Sequence, residues 1–471
     1  MKIAFVYPAI FGSGFNTEKK DILFEQIHEG LAGLGAVCKK EGFKDITLID
    51  LRLLEGWDDF AEKIRQLAPD VAGVTMMSPD YPYATRCIDI IKDLDPRIKI
   101  IVGGHHPTIM TQEVADNPKV DHIVTGEGEA AFPVILKDIE AKRPVARIIE
   151  GRRPDLDTLP FIDRELFDFL ELPYDFFLPL PFVTVLAGRG CSYNCSFCAP
   201  ASKIMHGDRM RRRSVDNVMN ELSYLRDTYG IKSIQFWDDC FTESRDWVME
   251  FCKAYRKNGF RQPFVCQTRA DIVCKNPEMI KELKKAGLVM ASIGFESGSD
   301  RILKFLNKGT TVAQNLQAAA ICKRLAIKIW AYHMLGLPGE RPEETKDTVR
   351  MINRIKPYRS SAAFFTPHPG SALHAYCRKN DLSLIGDHDN FVMFPEVDKP
   401  KIRGVDYALM RRLAGISKRP SLSVKVRIRI ERVFAHKKSK AFRVKLLEAL
   451  KEHPGMNKMA VLRIAHKKGL L

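Results

Sequence analysis

Twice along this chain, short apolar segments alternate with stretches of helical periodicity, and a proline-rich connector separates the two series. In the first, Lys2 to Pro8, Ile46 to Leu51, Val71 to Met77, Ile98 to Val102 and His122 to Thr125 read as strands. Helical patterns at Ile22 to Lys40, Trp57 to Leu67 and Tyr83 to Leu94 lie between them. Such alternation predicts a doubly wound parallel α/β sheet, which binds ligands beyond the carboxyl ends of its strands. From Arg147 to Leu180 the chain is punctuated by Pro154, Pro160, Pro173 and Pro179 and reads as a linker with little regular structure. The second series has strands at Phe182 to Ala187, Ile231 to Trp237, Phe264 to Thr268, Leu288 to Phe295, Ile327 to Leu335 and Ala362 to Phe365. Its helices fall at Ser214 to Tyr229, Arg245 to Asn258, from Asn276 with Pro277, from a capping box at Thr311 and Gln314, and near Pro342. Six βα units predict a partial (β/α)6 barrel with its chemistry at the strands' carboxyl ends. The expected division is 1–146, a linker at 147–180, a barrel at 181–394 and an extension at 395–471.

The first strand of the second series runs into Gly188 to Pro200, GRGCSYNCSFCAP, which puts Cys191, Cys195 and Cys198 within one loop. An iron–sulfur cube usually takes four thiolates, so three would leave one iron open as a reaction site. Zinc is the main rival, but its ligands usually come as paired short spacings, and no second Cys or His pair near the loop completes such a set. The bland reading is three buried thiols without a ligand. The other eight of the 11 cysteines are scattered and read as reduced core residues of a chain expected in the cytoplasm. No apolar run approaches the roughly 18 residues that span a bilayer. MKIAFVYPAIF lacks the leader and cleavage pattern of a signal peptide and reads as a strand.

The Cys-x-x-x-Cys-x-x-Cys spacing resembles that of the radical S-adenosylmethionine enzymes. The resemblance implies a [4Fe-4S] cluster on Cys191, Cys195 and Cys198, whose open iron chelates the amino and carboxylate groups of S-adenosylmethionine, and an aromatic, Phe197, against the adenine. It further implies Asp238 or Asp239 near the ammonium, Glu296 near the ribose, and contacts from Arg269, Ser297 and the GLPGE turn at Gly336. Ahead of the barrel, GGHHPT, Gly103 to Thr108, and TGEGE, Thr125 to Glu129, look like the turns of the cobalamin-binding domain found in one branch of these enzymes. Gly103, Gly104, His106, Thr108, Gly126, Glu127 and Gly128 are thereby expected to meet cobalamin, the glycines allowing close backbone approach. The loop Pro8 to Gly12 lacks the Asp-x-His-x-x-Gly that supplies a lower cobalt ligand elsewhere, so the cofactor is expected without a histidine below cobalt.

Most characterised members of that branch are C-methyltransferases. The resemblance therefore implies methylation of an unactivated carbon in a small substrate, with an electron donor such as flavodoxin or ferredoxin. Radical ring closure or oxidation is the alternative, and a cobalamin-binding regulator without catalysis is a different class that would have no use for the cysteine loop. Methylthiotransferases need three N-terminal cysteines, and only Cys38 and Cys87 precede Cys191. His333, His368 and His374 read as satisfied polar residues, with His368, in FTPHPG, at a strand end where substrate could reach it.

The net charge of +16 is confined to one end. From Lys399 to Leu471 there are 21 Lys or Arg against 4 Asp or Glu, which leaves the remainder at −1. Leu422 to Ile430 alternates apolar and basic residues as a strand does, and Phe442, Leu446, Leu447 and Leu450 mark one helix face. A basic amphipathic segment of this kind predicts a cap on the barrel or peripheral contact with the inner face of a membrane rather than with nucleic acid, which offers little for an aliphatic stripe to bury.

Overall fold

The computed structural model describes residues 1–9, 15, 27–167, 169–170, 178–386 and 400–417. Its first sheet has six parallel strands: β1 Ile3–Tyr7, β2 Ile46–Asp50, β3 Val71–Thr75, β4 Lys99–Gly103, β5 His122–Gly126 and β6 Ile148–Gly151, in the order β2-β1-β3-β4-β5-β6. β1 and β3 are buried at all five positions, as strands covered on both faces must be. Period-two alternation sends Phe5 to a core with Leu31, Phe132 and Leu136, and Val6 to one with Ile64, Val74 and Ile88 on the other face. The chain leaves β1 toward β2 and returns on its other side at β3, so the connections diverge and a crevice opens where they part.

The second sheet is also parallel and runs in simple sequence: β7 Phe182–Val185, β10 Ser233–Phe236, β11 Phe264–Thr268, β12 Leu288–Glu296, β13 Lys328–Leu335 and β14 Arg359–Phe364. β7 and β14 do not pair with each other, so the barrel stays open. Phe182, Val265, Met290 and Tyr358 cluster together, and two residues further along β7, on the same face, comes Thr184. Between β7 and β10, β8 Gly188–Arg189 pairs antiparallel with β9 Arg211–Arg212 and closes the neck of the cysteine loop.

The expected strands and helices that fall on described residues are present; short helices such as Phe132–Glu140 and Ala372–Lys379 are additional, as are β6 and a helix beyond the expected barrel. β6 extends the first sheet past residue 146 into the connector; it is four residues of IIEG at an edge, too short for a periodic signal. Beyond residue 399, a helix at Tyr407–Ser417 lays Met410, Leu413 and Ala414 on Leu335, Val349 and Phe364 of the barrel. The expected strand at 422–430 and helix at 442–450 lie outside the described residues, as do Ile10 to Gly12 and the start of the helix expected from Ile22; the described part of that helix is Glu29–Lys40.

Candidate active site

A chamber of about 720 Å³ lies between the carboxyl ends of β1, β3, β4 and β5 on one side and of β7, β10 and β14 on the other. Its wall is mostly apolar, and Leu156, Leu159, Phe161 and Ile162 of the connector supply part of it. The connector is thus a wall as well as a tether.

The cysteine loop borders this chamber through Phe197 and Cys198. Ser196 N donates to Leu306 O at 2.9 Å, Asn307 Nδ2 to Asn194 O at 2.8 Å, and Leu373 N to Ser196 O at 2.9 Å, which fasten the loop to its neighbours. Arg269 Nη1 stands 3.6 Å from Cys195 Sγ, and its guanidinium lies over the Tyr193 ring at 3.5 Å. Burial pushes the Cys191 thiol up to about 11 and raises that of Cys198, and the thiols are close enough for Cys198 to add to the first effect and Cys195 to the second. Among the described residues, no three His, Cys, Asp or Glu side chains stand close enough to share one metal ion. A single zinc would require such convergence, whereas a cube spreads its thiolates over separate irons. Three neighbouring thiols beside a cation fit the cube.

Of the residues expected to meet S-adenosylmethionine, Phe197 and Asp239 line the chamber. Asp238 does not. Its Oδ2 accepts from Ala187 N at 3.0 Å and its Oδ1 faces Arg212 at 3.6 Å, so it braces β10 against β7. Asp239, the next residue, opens onto the cavity, where burial raises its carboxyl above the ordinary range against the pull of His206. Glu296, at φ 60°, is paired with buried Lys308 at 2.8 Å, and Ser297 Oγ is engaged by Thr348 Oγ1 at 3.3 Å and Ser299 N at 3.2 Å. Arg269 is committed to the loop and to Asp271 at 3.0 Å. Gly336 N donates to Glu340 at 3.0 Å. These four lie beside the chamber rather than on it.

The two glycine turns of the first domain do reach the cavity, through Gly103, Gly104, Gly126 and Gly128. Gly104 has φ 109° and a Cβ there would stand 2.9 Å from Met76 O; Gly126 has φ 71° and its Cβ would stand 3.0 Å from Gly151 O. Both turns therefore require glycine, and their bare backbone suits a large, close-lying ligand. His106 is turned away and fully buried, between Ser78 Oγ at 3.1 Å and Glu113 Oε2 at 3.3 Å; of the adjacent pair, His105 is the one on the cavity. Burial, with His206 and His28 nearby, pushes the His105 imidazole down to about 4. Thr108 ties the turns together, donating to Gly104 O at 2.7 Å and accepting from Gly126 N at 2.9 Å. Glu127 lies on the chamber wall, but its carboxylate is engaged by Arg189, Arg211 and His206.

Sequence reasoning missed three further residues. His28 lines the cavity and caps the first helix, its Nδ1 accepting from Leu31 N at 3.0 Å. Glu29 lines it too, and its carboxyl accepts from Thr184 Oγ1 at 2.6 Å; burial pushes it up to about 7 despite Arg164. Buried Lys308 is the third. His368 lines the cavity as expected, its imidazole lowered to about 4 by burial and by Lys401, while His333 is bonded to Ser417 at 3.0 Å away from it.

A doubly wound sheet facing an open (β/α)6 barrel, with a three-cysteine loop and paired glycine turns on one chamber, defines a two-domain radical enzyme built for a large planar cofactor. The model of the Radical SAM superfamily matches residues 185–352 and that of the B12 binding domain matches residues 24–136, and the chain belongs to the cobalamin-dependent radical S-adenosylmethionine enzymes. It is 28% identical over 387 residues to an uncharacterised methyltransferase of Pyrococcus horikoshii, covering 79% of this chain and 83% of that one. It is 26% identical over 419 residues to the anaerobic magnesium-protoporphyrin IX monomethyl ester cyclase of Rubrivivax gelatinosus, covering 85% and 74%. In fold it is similar to the cobalamin-dependent S-adenosylmethionine radical enzyme OxsB, solved with aqua-cobalamin and S-adenosylmethionine bound, with a TM-score of 0.65, 16% identity and coverage of 98% and 78%. Its cofactors are a [4Fe-4S] cluster, S-adenosylmethionine and cobalamin.

Proposed function

We propose that the enzyme methylates an unactivated carbon of a small, largely apolar molecule held in the chamber between the two domains. The observation that carries this is the single cavity onto which both the cysteine loop and the glycine turns open. When bound, the cluster with S-adenosylmethionine supplies a carbon-centred oxidant that removes a hydrogen atom, and cobalamin supplies the methyl group. The chain's own part is positioning and exclusion of water. Cys191, Cys195 and Cys198 hold three irons, with Arg269 balancing thiolate charge at Cys195. Asp239 accepts from the ammonium of S-adenosylmethionine, and Phe197 packs on its adenine. Gly103, Gly104, Gly126 and Gly128 admit the corrin face. Leu156, Phe161, Ile162 and Trp237 give the cavity an apolar wall, and Glu29 sits beside Thr184 with its carboxyl raised to about 7 by burial. Reducing equivalents come from a flavodoxin or ferredoxin. The basic tail, residues 418–471, holds the enzyme against the inner face of a membrane, where an apolar substrate such as an isoprenoid-derived lipid or a tetrapyrrole is found.

The relative in Rubrivivax favours ring closure as a second reading. S-adenosylmethionine labelled in its methyl group separates them. Metabolites lost from a deletion strain are supplied to the purified enzyme, and label in the product establishes methylation, whereas a product two or more hydrogens lighter with no label overturns it.

A further inference from the structure

Glu127 and Glu129 follow β5 at the cobalamin turn, yet both carboxylates cross to the other domain. Glu129 Oε1 is 2.6 Å from Arg189 Nη2, and Glu127 Oε2 accepts from Arg189 Nη1 at 2.8 Å. Glu127 Oε1 accepts from Arg211 and stands 3.3 Å from His206 Nδ1. The carboxylate side chains are 3% and 6% exposed, so these are interior ion pairs rather than surface ones. Arg189 and Arg211 face each other across the β8–β9 ladder. That ladder is the neck of the loop that carries all three cysteines, and Arg189 is separated from Cys191 by one residue, a reach of at most about 7 Å.

The turn itself has little freedom. Gly126 is paired with Gly151 of β6 and its N–H is held by Thr108, while Gly126 and Gly128 face the chamber. Whatever lies against those glycines presses on a backbone whose next side chains grip the cysteine loop.

We infer that Glu127 and Glu129 are positioning residues for the cluster: they set the neck of the cysteine loop from the cobalamin turn, so that a corrinoid on Gly126 and Gly128 is registered at Cys191, Cys195 and Cys198. The inference rests on the cluster and cobalamin sites named above but not on the choice between methylation and ring closure. A guanidinium fork gripped by two carboxylates fixes orientation as well as distance, which is what a loop holding an open iron requires.

Hydrogen exchange of the anaerobically reconstituted full chain tests it, comparing residues 190–210 with and without hydroxocobalamin, with binding followed by absorbance in the same samples. The wild type exchanges in this loop at least threefold more slowly once hydroxocobalamin is bound. Glu127→Gln, which keeps shape and loses charge, binds iron and hydroxocobalamin but shows no slowing; Glu129→Gln, whose carboxylate pairs with Arg189, shows a partial loss and serves if the first variant does not fold. Arg189→Lys keeps the charge without the fork and also loses most of the effect. Equal slowing in Glu127→Gln and wild type, or none in wild type with hydroxocobalamin bound, overturns the coupling. Wild type that takes up no iron, or no hydroxocobalamin, overturns the cofactor sites instead.

Discussion

Asp238 and Asp239 are chemically alike and adjacent, and the fold gives them opposite tasks. Asp239→Asn removes a carboxylate that opens onto the chamber, and S-adenosylmethionine affinity, measured by calorimetry on the reconstituted enzyme, falls about ten- to a hundredfold, the range for one charge-assisted hydrogen bond. Asp238→Asn leaves that affinity within about twofold and lowers the melting temperature, because the bracing carboxylate beside Arg212 is gone. His105 and His106 repeat the pattern. In both pairs the motif was legible in the sequence and the facing residue was not, because a strand's alternation ends in a turn whose local twist decides which neighbour meets the cavity. The cysteines escaped that ambiguity, since three on one short loop have nowhere else to converge. Replacing Cys191, Cys195 and Cys198 together by Ala abolishes the cluster and all S-adenosylmethionine cleavage while circular dichroism stays native; near-wild-type iron after anaerobic reconstitution would place the cluster elsewhere. Glu29 gave no sequence signal, because its hydrogen-bond partner, Thr184, lies more than 150 residues away. Its carboxyl is raised from 4.5 to about 7 in the folded protein, so its neutral form is the stabilising one. That contribution is complete below about pH 4.5 and is lost as pH rises through 7. Relative to Glu29→Gln, wild-type stability therefore declines across this window by at most about 1.4 kcal/mol per pH unit. A pH-independent difference in denaturant midpoint between the two proteins would refute the assignment.

Among elements, the twelve strands of the two parallel sheets separate cleanly into those whose apolar runs announced them and one, β6, that did not. Buried strands need long apolar runs and so leave a signal; an edge strand of four half-exposed residues needs none. The helix Tyr407–Ser417 was hidden for another reason, since it lies within a basic stretch whose charge masks its apolar stripe. A chain ended at Lys399 therefore loses more than its tail. Stripping Met410 and Leu413 from the barrel costs about 5 kcal/mol or more, so that chain is expected to melt well below the full protein, whereas one ended at Ser417 matches it. The first helix bears on the cobalt. His28 Nδ1 accepts from Leu31, which leaves the proton on Nε2, directed at Thr75 Oγ1 3.5 Å away. An imidazole in that state offers no lone pair to a metal. With no histidine in Pro8 to Gly12 either, paramagnetic resonance of the cob(II)alamin form should lack superhyperfine splitting from an axial nitrogen; a clear three-line pattern would show that another cavity histidine, such as His105, reaches the cobalt.

For the whole molecule, the charge of the final 73 residues, +17, sits beside a body of −1. Such a tail attracts anionic surfaces at low salt and far less once the Debye length nears 8 Å, so an apolar contribution must persist if contact with a membrane matters. Among the described residues no helix is long and apolar enough to cross one. At moderate salt the full chain should float with anionic vesicles and the chain ended at Ser417 should sink; if both sink, the tail is a cap.

The cross-domain carboxylates carry a consequence for synthesis. Glu127 and Glu129 leave the ribosome roughly sixty residues before Arg189, an interval of about 3–12 s at about 5–20 residues per second. During that interval β6 is added to the first sheet, but the cations that will pair with its turn have not yet been made. The two carboxylates therefore stay hydrated until Arg189 and Arg211 follow, and the neck of the cysteine loop takes its position from a turn that is already made.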